Sequence, residues 1–389
     1  MEGITYLDHA SATPVLPEVK EAMLPYLDEL YFNPSVVYDL GTKVKAEVDE
    51  AREKVASLIG AEAEEIVFTS SGAEANNMAI KGIPFGNPKK GKRIIVSAIE
   101  HHSVLNSARF FERLDYEVTF LPVDHHGVVD PERLRRTISE DTVLVSIMHG
   151  NNEIGTIQPI KELCEVAHEA GAFFHTDAVA TVGNIPVDVK ELGVDLLSLS
   201  GISLGAPKGT GALYFKRNTR FMPLIHGGIQ ERGRRAGTEN VPGIIGLGKA
   251  AEIRAGRLAK RMEYLKGLRD TLVQGVTAKI PKVHFTGHPV DRLPNHASFC
   301  IEGIEGEALI FLLAANGIYA NTGSACASKA LKTSPVLVAI GLSDVVAQGS
   351  VVFTLEESTT QEDIDRVIEV LPSVAQRLRD MSPVWKEAA

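Results

Sequence analysis

Five short segments combine residue types that bind anions, move protons or attack electrophiles. In the first, Thr69-Ser-Ser-Gly-Ala-Glu-Ala-Asn76, an apolar run passes into small residues and then into a helical pattern. Backbone N–H groups and the positive end of a helix dipole then face one spot, which suits phosphate, although a plain helix cap uses the same residues. In the second, His175-Thr-Asp177 closes an apolar run, the place where open parallel sheets put their ligand-binding groups. Asp177 is a candidate crevice carboxylate and equally a candidate cap for the next helix; no third group stands at metal-ligand spacing from the His-x-Asp pair. His101 and His102 follow another such run, and an imidazole there can stack on an aromatic ligand or shuttle protons. Asn151-Asn152-Glu-Ile-Gly155 ends a further run with amides that can bond a ring substituent or make a turn. The last segment, Thr322-Gly-Ser-Ala-Cys326-Ala-Ser328, sets one thiol among small polar residues, as a reactive cysteine requires. Cys164, at helical spacing with Leu163, Val166 and Ala167, and Cys300, in an apolar run, belong to the core.

These groups must be held by elements that alternate along the chain. From Lys43 to Arg217, helical patterns alternate with short apolar runs bounded by Gly, Asp and Pro, the signature of a mostly parallel sheet with crossover helices. Val44, Val48, Ala51, Val55 and Leu58 mark the buried stripe of the first long helix. Strands are predicted at Glu65–Thr69, Arg93–Ser97, Val118–Leu121, Thr142–Met148, Phe173–Thr176, Leu196–Leu199 and Gly211–Phe215. A long charged helix from Ile245 to Val276 leads into a smaller α+β region, with strands near Ala297–Ile301 and Ser350–Leu355. Thr359 and Thr360, followed by Glu362 and Asp363, announce the last helix ahead of Ile364, Val367, Ile368 and Leu371. The expected division is a large α/β domain over 16–255 and a small α+β domain made of 1–15 and 256–389, which carries the Cys326 loop.

The 389 residues, 44% hydrophobic and 23% charged, with 34 Gly and 19 Pro, have the composition of a globular chain and exclude a disordered or fibrous one. Forty basic against fifty acidic residues give a net charge of −10 without a Lys/Arg stripe, so nucleic acid is not an expected partner. The apolar stretches fall far short of the roughly 20 residues that span a bilayer, so no membrane is expected either. Three cysteines and an opening Met-Glu-Gly-Ile-Thr without a basic, apolar leader point to a reduced, cytoplasmic protein.

Taken in order, Tyr6-Leu-Asp-His-Ala, Asn33-Pro-Ser, the turn at Ser70–Asn77, Glu100-His-His, Asn151-Asn-Glu-Ile-Gly, His175-Thr-Asp-Ala-Val, Ser198-Leu-Ser-Gly, Pro207-Lys-Gly-Thr-Gly-Ala-Leu-Tyr, Gln230-Glu-Arg-Gly-Arg-Arg-Ala-Gly-Thr-Glu-Asn and Gly323-Ser-Ala-Cys closely resemble the cysteine desulfurases of the IscS/NifS type. The resemblance covers essentially the whole chain. It implies the fold type I, pyridoxal-phosphate-dependent transferase fold: a mostly parallel seven-stranded α/β sheet with flanking helices plus the smaller α+β domain. It also implies a homodimer with active sites at the subunit interface, and removal of sulfur from L-cysteine to leave alanine and a persulfide. Under the resemblance His101 stacks on the cofactor ring, Asp177 pairs with its pyridinium nitrogen and Asn152 contacts the ring. Ser200 and, from the other subunit, Thr238 hold the phosphate, and Cys326 accepts the sulfur.

The sequence departs from that family where the cofactor would be tethered. Relatives read Ser-x-His-Lys, and this chain reads Ser200-Gly-Ile202-Ser203; a hydroxyl can neither carry the covalent link nor act as the amine base. Ile202, Ala180 and Ala73 replace the His, Gln and Thr that contact the cofactor, Val352 replaces the Arg that clamps the substrate carboxylate, and Glu356 and Glu357 replace a Gly-Arg pair. Phe32, Val36 and Tyr38 replace a Gly, a Ser and a His. Each missing hydrogen bond is worth roughly 0.5–3 kcal/mol, so pyridoxal phosphate is expected to bind without a covalent link or to be absent. The expected function is sulfur handling or iron–sulfur assembly through Cys326, with a scaffold or sulfur-acceptor partner, without ordinary lysine-dependent turnover. Cys326 then carries a persulfide from an external donor or supplies a ligand to a partner's cluster; no other metal site is expected. The alternatives are an active enzyme that uses untethered cofactor or a remodelled pocket, with Lys208 a remote substitute for the missing amine, and a structural dimeric partner.

Overall fold

The architecture comes from a computed structural model that describes residues 3–323, 333–382 and 385. A short strand, β1 (Thr5–Tyr6), precedes a large sheet built from β2 (Ile66–Thr69), β3 (Arg93–Ser97), β4 (Glu117–Leu121), β5 (Thr142–Ser146), β6 (Phe173–Asp177), β7 (Leu196–Ser200) and β8 (Gly211–Phe215). Their spatial order is β2-β8-β7-β6-β5-β3-β4. Strands β3 to β7 run parallel to one another, while β8 is antiparallel to both β2 and β7. Every residue of β5, β7 and β8 is buried, so these strands read as unbroken apolar runs, whereas edge strand β4 is only partly covered. All seven predicted strands are found, with ends displaced by two residues at most.

Helix Asp39–Leu58 buries Val44, Val48, Ala51 and Val55, the stripe predicted from their spacing. It packs against the 39-residue helix Val241–Lys279. The two backbones meet closely at Gly248, where a Cβ would lie 2.6 Å from that of Ala51. This long helix joins two apolar cores. One, around the large sheet, includes Val48, Leu163, Leu199 and Leu247; the other includes Leu7, Leu265, Leu272, Phe299, Phe353 and Leu371. The expected boundary at residue 255 falls inside the helix, so its N-terminal half serves the first core and its C-terminal half the second.

The second core lies under an antiparallel sheet, β12-β10-β9, of β9 (Val283–Phe285), β10 (His296–Ile301) and β12 (Ser350–Thr354). Strand β1 pairs in parallel with β11 (Ile318–Tyr319), which ties the chain's start to this region. Helix Gln361–Met381 begins with the predicted capping box: the Asp363 N–H donates to Thr360 Oγ1 (3.2 Å) and the Thr360 N–H donates to Asp363 Oδ2 (2.9 Å). Among the described residues no helix is long and apolar enough to cross a membrane. Replacing Thr360 by Ala removes the side-chain half of this cap and is expected to lower stability by about 1 kcal/mol. A urea midpoint unchanged from that of the parent chain would show that water caps the helix equally well.

Candidate functional site

Parallel strands leave a crevice at their C-terminal ends, and the loops that follow β2, β3, β5, β6 and β7 all open into it. There they line one cavity of about 460 Å³. His101, Asn152, Asp177, Ser200 and Ser203 are brought together in its wall, as are Ala73, Ala180, Ile202 and Val352. Thr238 is not. Within one chain it is exposed and lines a separate recess of about 210 Å³ behind the Ser70 turn, beside Glu231 and Arg235. Cys326 lies outside the described residues.

Asp177 ends β6 at 4% exposure. Asn76 Nδ2 donates to its Oδ2 (2.6 Å) and the Val179 N–H to its Oδ1 (3.0 Å). Burial pushes its pKa above the usual carboxylate range, although these hydrogen bonds and His101 pull the other way. The chain of contacts continues, because Asn76 Nδ2 also bonds Ser103 Oγ (2.9 Å), which lies 2.7 Å from His101 Nδ1. The Ser103 N–H donates to the same Nδ1 (3.2 Å), so that nitrogen is an acceptor and the imidazole caps helix His102–Glu112. One network therefore fixes both the Asp177 carboxylate and the His101 ring.

Asn76 was predicted only as the end of an anion-binding turn. The turn itself forms: Ser71 caps helix Gly72–Gly86 by accepting from the Glu74 N–H (3.1 Å), and Ser71, Gly72 and Ala73 line the cavity. A Cβ on Gly72 would lie 2.5 Å from Val179 Cγ2 and 3.5 Å from Ser200 Cβ, so glycine lets the helix start come close to β6 and β7. Ser70 is committed elsewhere, since its N–H (2.7 Å) and hydroxyl both bond Glu74 Oε2.

On the other side, Ser200 Oγ is held loosely, 3.5 Å from both the Thr210 carbonyl and the Ile202 N–H. Ser203, in the turn Gly201–Ser203, donates to the Ser200 carbonyl (3.1 Å). Asn152 is positioned through its carbonyl, which accepts from His296 Nε2 (3.0 Å). His296 is buried, and that burial drives its pKa down to about 3, so it is neutral. Among the described residues no lysine lines the cavity; Lys208 is exposed and lies outside it.

Further acids line the cavity, among them Glu100 and Glu153. Glu100 Oε1 accepts from Ser97 Oγ and from the Met148 N–H (2.8 Å), while its Oε2 is buried without a partner among the described residues. Burial, opposed by those bonds and helped by Asp177, raises its pKa to about 8. Glu153 is raised to about 7 by burial, although Ser334 donates to it. A third acid, Glu356, is clasped by Arg254 and Arg261. Sequence reasoning missed both arginines, yet they interrupt the buried stripe Leu247, Ala251, Leu265, Leu268 of their helix, which was the available signal.

These groups fit the ring and phosphate of pyridoxal phosphate: a buried carboxylate for a ring nitrogen, an imidazole at its face, and a helix start with Ser71 and Ser200 for the phosphate. Among the described residues they offer no amine for its aldehyde.

Residues 5–367 match the family model described as aminotransferase class-V. The chain is 53% identical over 379 residues to a cysteine desulfurase IscS of Methanosarcina thermophila, covering 97% of this chain and 94% of that relative. It is 49% identical to a cysteine desulfurase IscS of Dictyoglomus turgidum, over 100% of this chain and 98% of that one. A solved NifS-like protein superposes with a TM-score of 0.90 at 35% identity, covering 96% of this chain and 100% of that one.

The raised acid supplies a pH test. Folded Glu100 keeps its proton until about pH 8, whereas unfolded Glu loses it near 4.5, so its contribution is present below 4.5 and is lost as pH rises through 8. Glu100→Gln keeps both acceptor contacts and cannot ionise. The difference in unfolding free energy in favour of the variant is expected to grow between about pH 5 and 8, by at most about 1.4 kcal/mol per pH unit. Parallel curves for the two proteins would mean that Glu100 is ionised in the folded chain.

Proposed function

The chain belongs to the class-V aminotransferase family, among its cysteine desulfurases of the IscS/NifS type, and from that premise we propose a sulfur-handling protein that holds pyridoxal phosphate without a covalent tether. The observation that carries the proposal is the single cavity that gathers His101, Asn152, Asp177, Ser200 and Ser203, with no lysine among its described lining residues. When bound, the group supplies an electron sink. His101 would lie against the ring, Asp177 would hold a proton at the ring nitrogen, and Ser200 with the Ser71–Gly72 helix start would take the phosphate. Ser203 would hold its turn, through its bond to the Ser200 carbonyl, and would move no proton.

Sulfur work would fall to Cys326. Its thiolate would attack the terminal sulfur of a persulfide brought by a donor; the new S–S bond forms as the donor's S–S bond breaks, and the donor leaves as its thiolate. No oxidant or reductant is consumed. A scaffold or acceptor protein would then take the sulfur, or Cys326 would ligate a cluster on it. The residues 1–15 and 256–389 would form the small domain, and two chains would pair in the cytoplasm, with Thr238 reaching the partner's phosphate. A single chain leaves Val37 98% and Ile229 89% exposed, which supports a covering subunit.

Titration of the purified chain with pyridoxal phosphate, followed by borohydride reduction and mass spectrometry, tests the cofactor arm. Saturable binding without a reduced lysine adduct is expected, and Asp177→Ala is expected to weaken it about ten- to a hundredfold, the worth of one charged hydrogen bond. A reduced adduct on any lysine would overturn untethered binding. Sulfur transfer from a persulfide donor to a scaffold should stop when Cys326 is alkylated; alanine and sulfide released from L-cysteine would instead establish ordinary turnover.

A further inference from the structure

Arg261 is the only Lys or Arg among the described residues that line the cavity, and its charge is already used. Glu356 Oε1 accepts from Arg254 Nη1 (2.9 Å) and Arg261 Nε (3.1 Å), and Oε2 from Arg254 Nη2 (2.9 Å) and Arg261 Nη2 (3.0 Å). The remaining nitrogens are also engaged. Arg254 Nε donates to the Leu204 carbonyl (3.0 Å), and Arg261 Nη1 to the Gly183 carbonyl (3.1 Å) and Asn184 Oδ1 (2.6 Å). Arg254 Nη1 adds Glu357 Oε2 (3.0 Å). Both arginine side chains are 1% exposed, so neither swings out to meet a ligand. Two cations and two carboxylates sum to zero charge at this wall.

The nearby imidazoles do not make up the difference. Burial lowers the pKa of His9 and takes His296 to about 3. Among the described residues of this wall no Lys or Arg is left free for a carboxylate that enters beside Glu356, and a desolvated anion without a partner is strongly disfavoured.

We propose that Glu356 is a built-in carboxylate that occupies the guanidiniums of Arg254 and Arg261, so that the cavity selects phosphopyridoxyl amines lacking a carboxylate and rejects amino-acid adducts. The inference rests on the cavity being a pyridoxal-phosphate site, as proposed above. It names the discriminating residue and the ligand class: a primary or secondary amine on a phosphorylated pyridine ring, without an α-carboxyl group. Glu356 thereby discourages the chain from processing a free amino acid, whatever else the site does.

The test uses two stable probes, phosphopyridoxyl-ethylamine and phosphopyridoxyl-L-alanine, which differ only by the carboxylate. Calorimetric titration of the full chain at pH 7.5 is expected to show the ethylamine probe binding at least about tenfold more tightly, a gap of one 1.4 kcal/mol step. In Glu356→Gln, which frees guanidinium charge, that ratio is expected to fall below about threefold. Equal or tighter binding of the alanine probe by the parent chain overturns the inference and leaves the cofactor reading standing. An unchanged ratio in a folded Glu356→Gln overturns the role of Glu356. Binding of neither probe overturns the cofactor reading and the inference with it. The parent-chain comparison decides the inference even if the variant does not fold.

Discussion

A carboxylate sunk at the end of a buried strand has to be satisfied by groups that the fold delivers, and Asp177 sets much of the site by that requirement. Its partner Asn76 lies on helix Gly72–Gly86, so the hydrogen bond fixes where that helix starts relative to β6. The same amide reaches Ser103, and through it His101, which fixes the start of the next helix as well. Two helix starts and one ring are thus keyed to one acid. Because the Ser71–Gly72 helix start lines the same cavity, the spacing between it and Asp177 is set by this network.

The sheet was largely legible in the sequence because its strands are buried on both faces. A strand with no solvent face must be apolar throughout, and Gly, Asp and Pro then mark its ends, as for Phe173–Asp177 and Leu196–Ser200. Where the prediction overran, at Met148, the cause is visible. The chain after Ser146 has left its pairing with β3, yet Ile147 and His149 still donate to the carbonyls of His175 and Asp177. An apolar run does not distinguish a strand from a buried bend that keeps one row of hydrogen bonds.

The candidate site was legible where a strand end announced it and illegible where distant partners made it. His101, Asn152, Asp177 and Ser200 each stand just past an apolar run, so position alone nominated them. Asn76 meets Asp177 across 101 residues, and Arg254 meets Glu356 across 102. No local pattern records such a pairing; periodicity says that a residue faces inward, not what waits there. Thr238 shows the complementary gap: resemblance alone nominated it, for a neighbouring subunit's site, and within one chain it lines a different recess.

Two acids in the cavity wall solve the problem of buried charge in opposite ways. At Asp177 the carboxylate is held by neutral donors, the Asn76 amide and the Val179 N–H, and burial still lifts its pKa, so a cationic ring nitrogen would relieve it. At Glu356 burial also pushes upward, but two guanidiniums outweigh it and bring the pKa down to about 2. That acid gains nothing from a further cation and offers nothing to an anion. The cavity wall therefore holds one acid whose charge balance a cation would complete and one whose balance is already complete. The contrast is one of partners: neutral donors leave a buried carboxylate short of a counter-charge, whereas paired guanidiniums supply it in full.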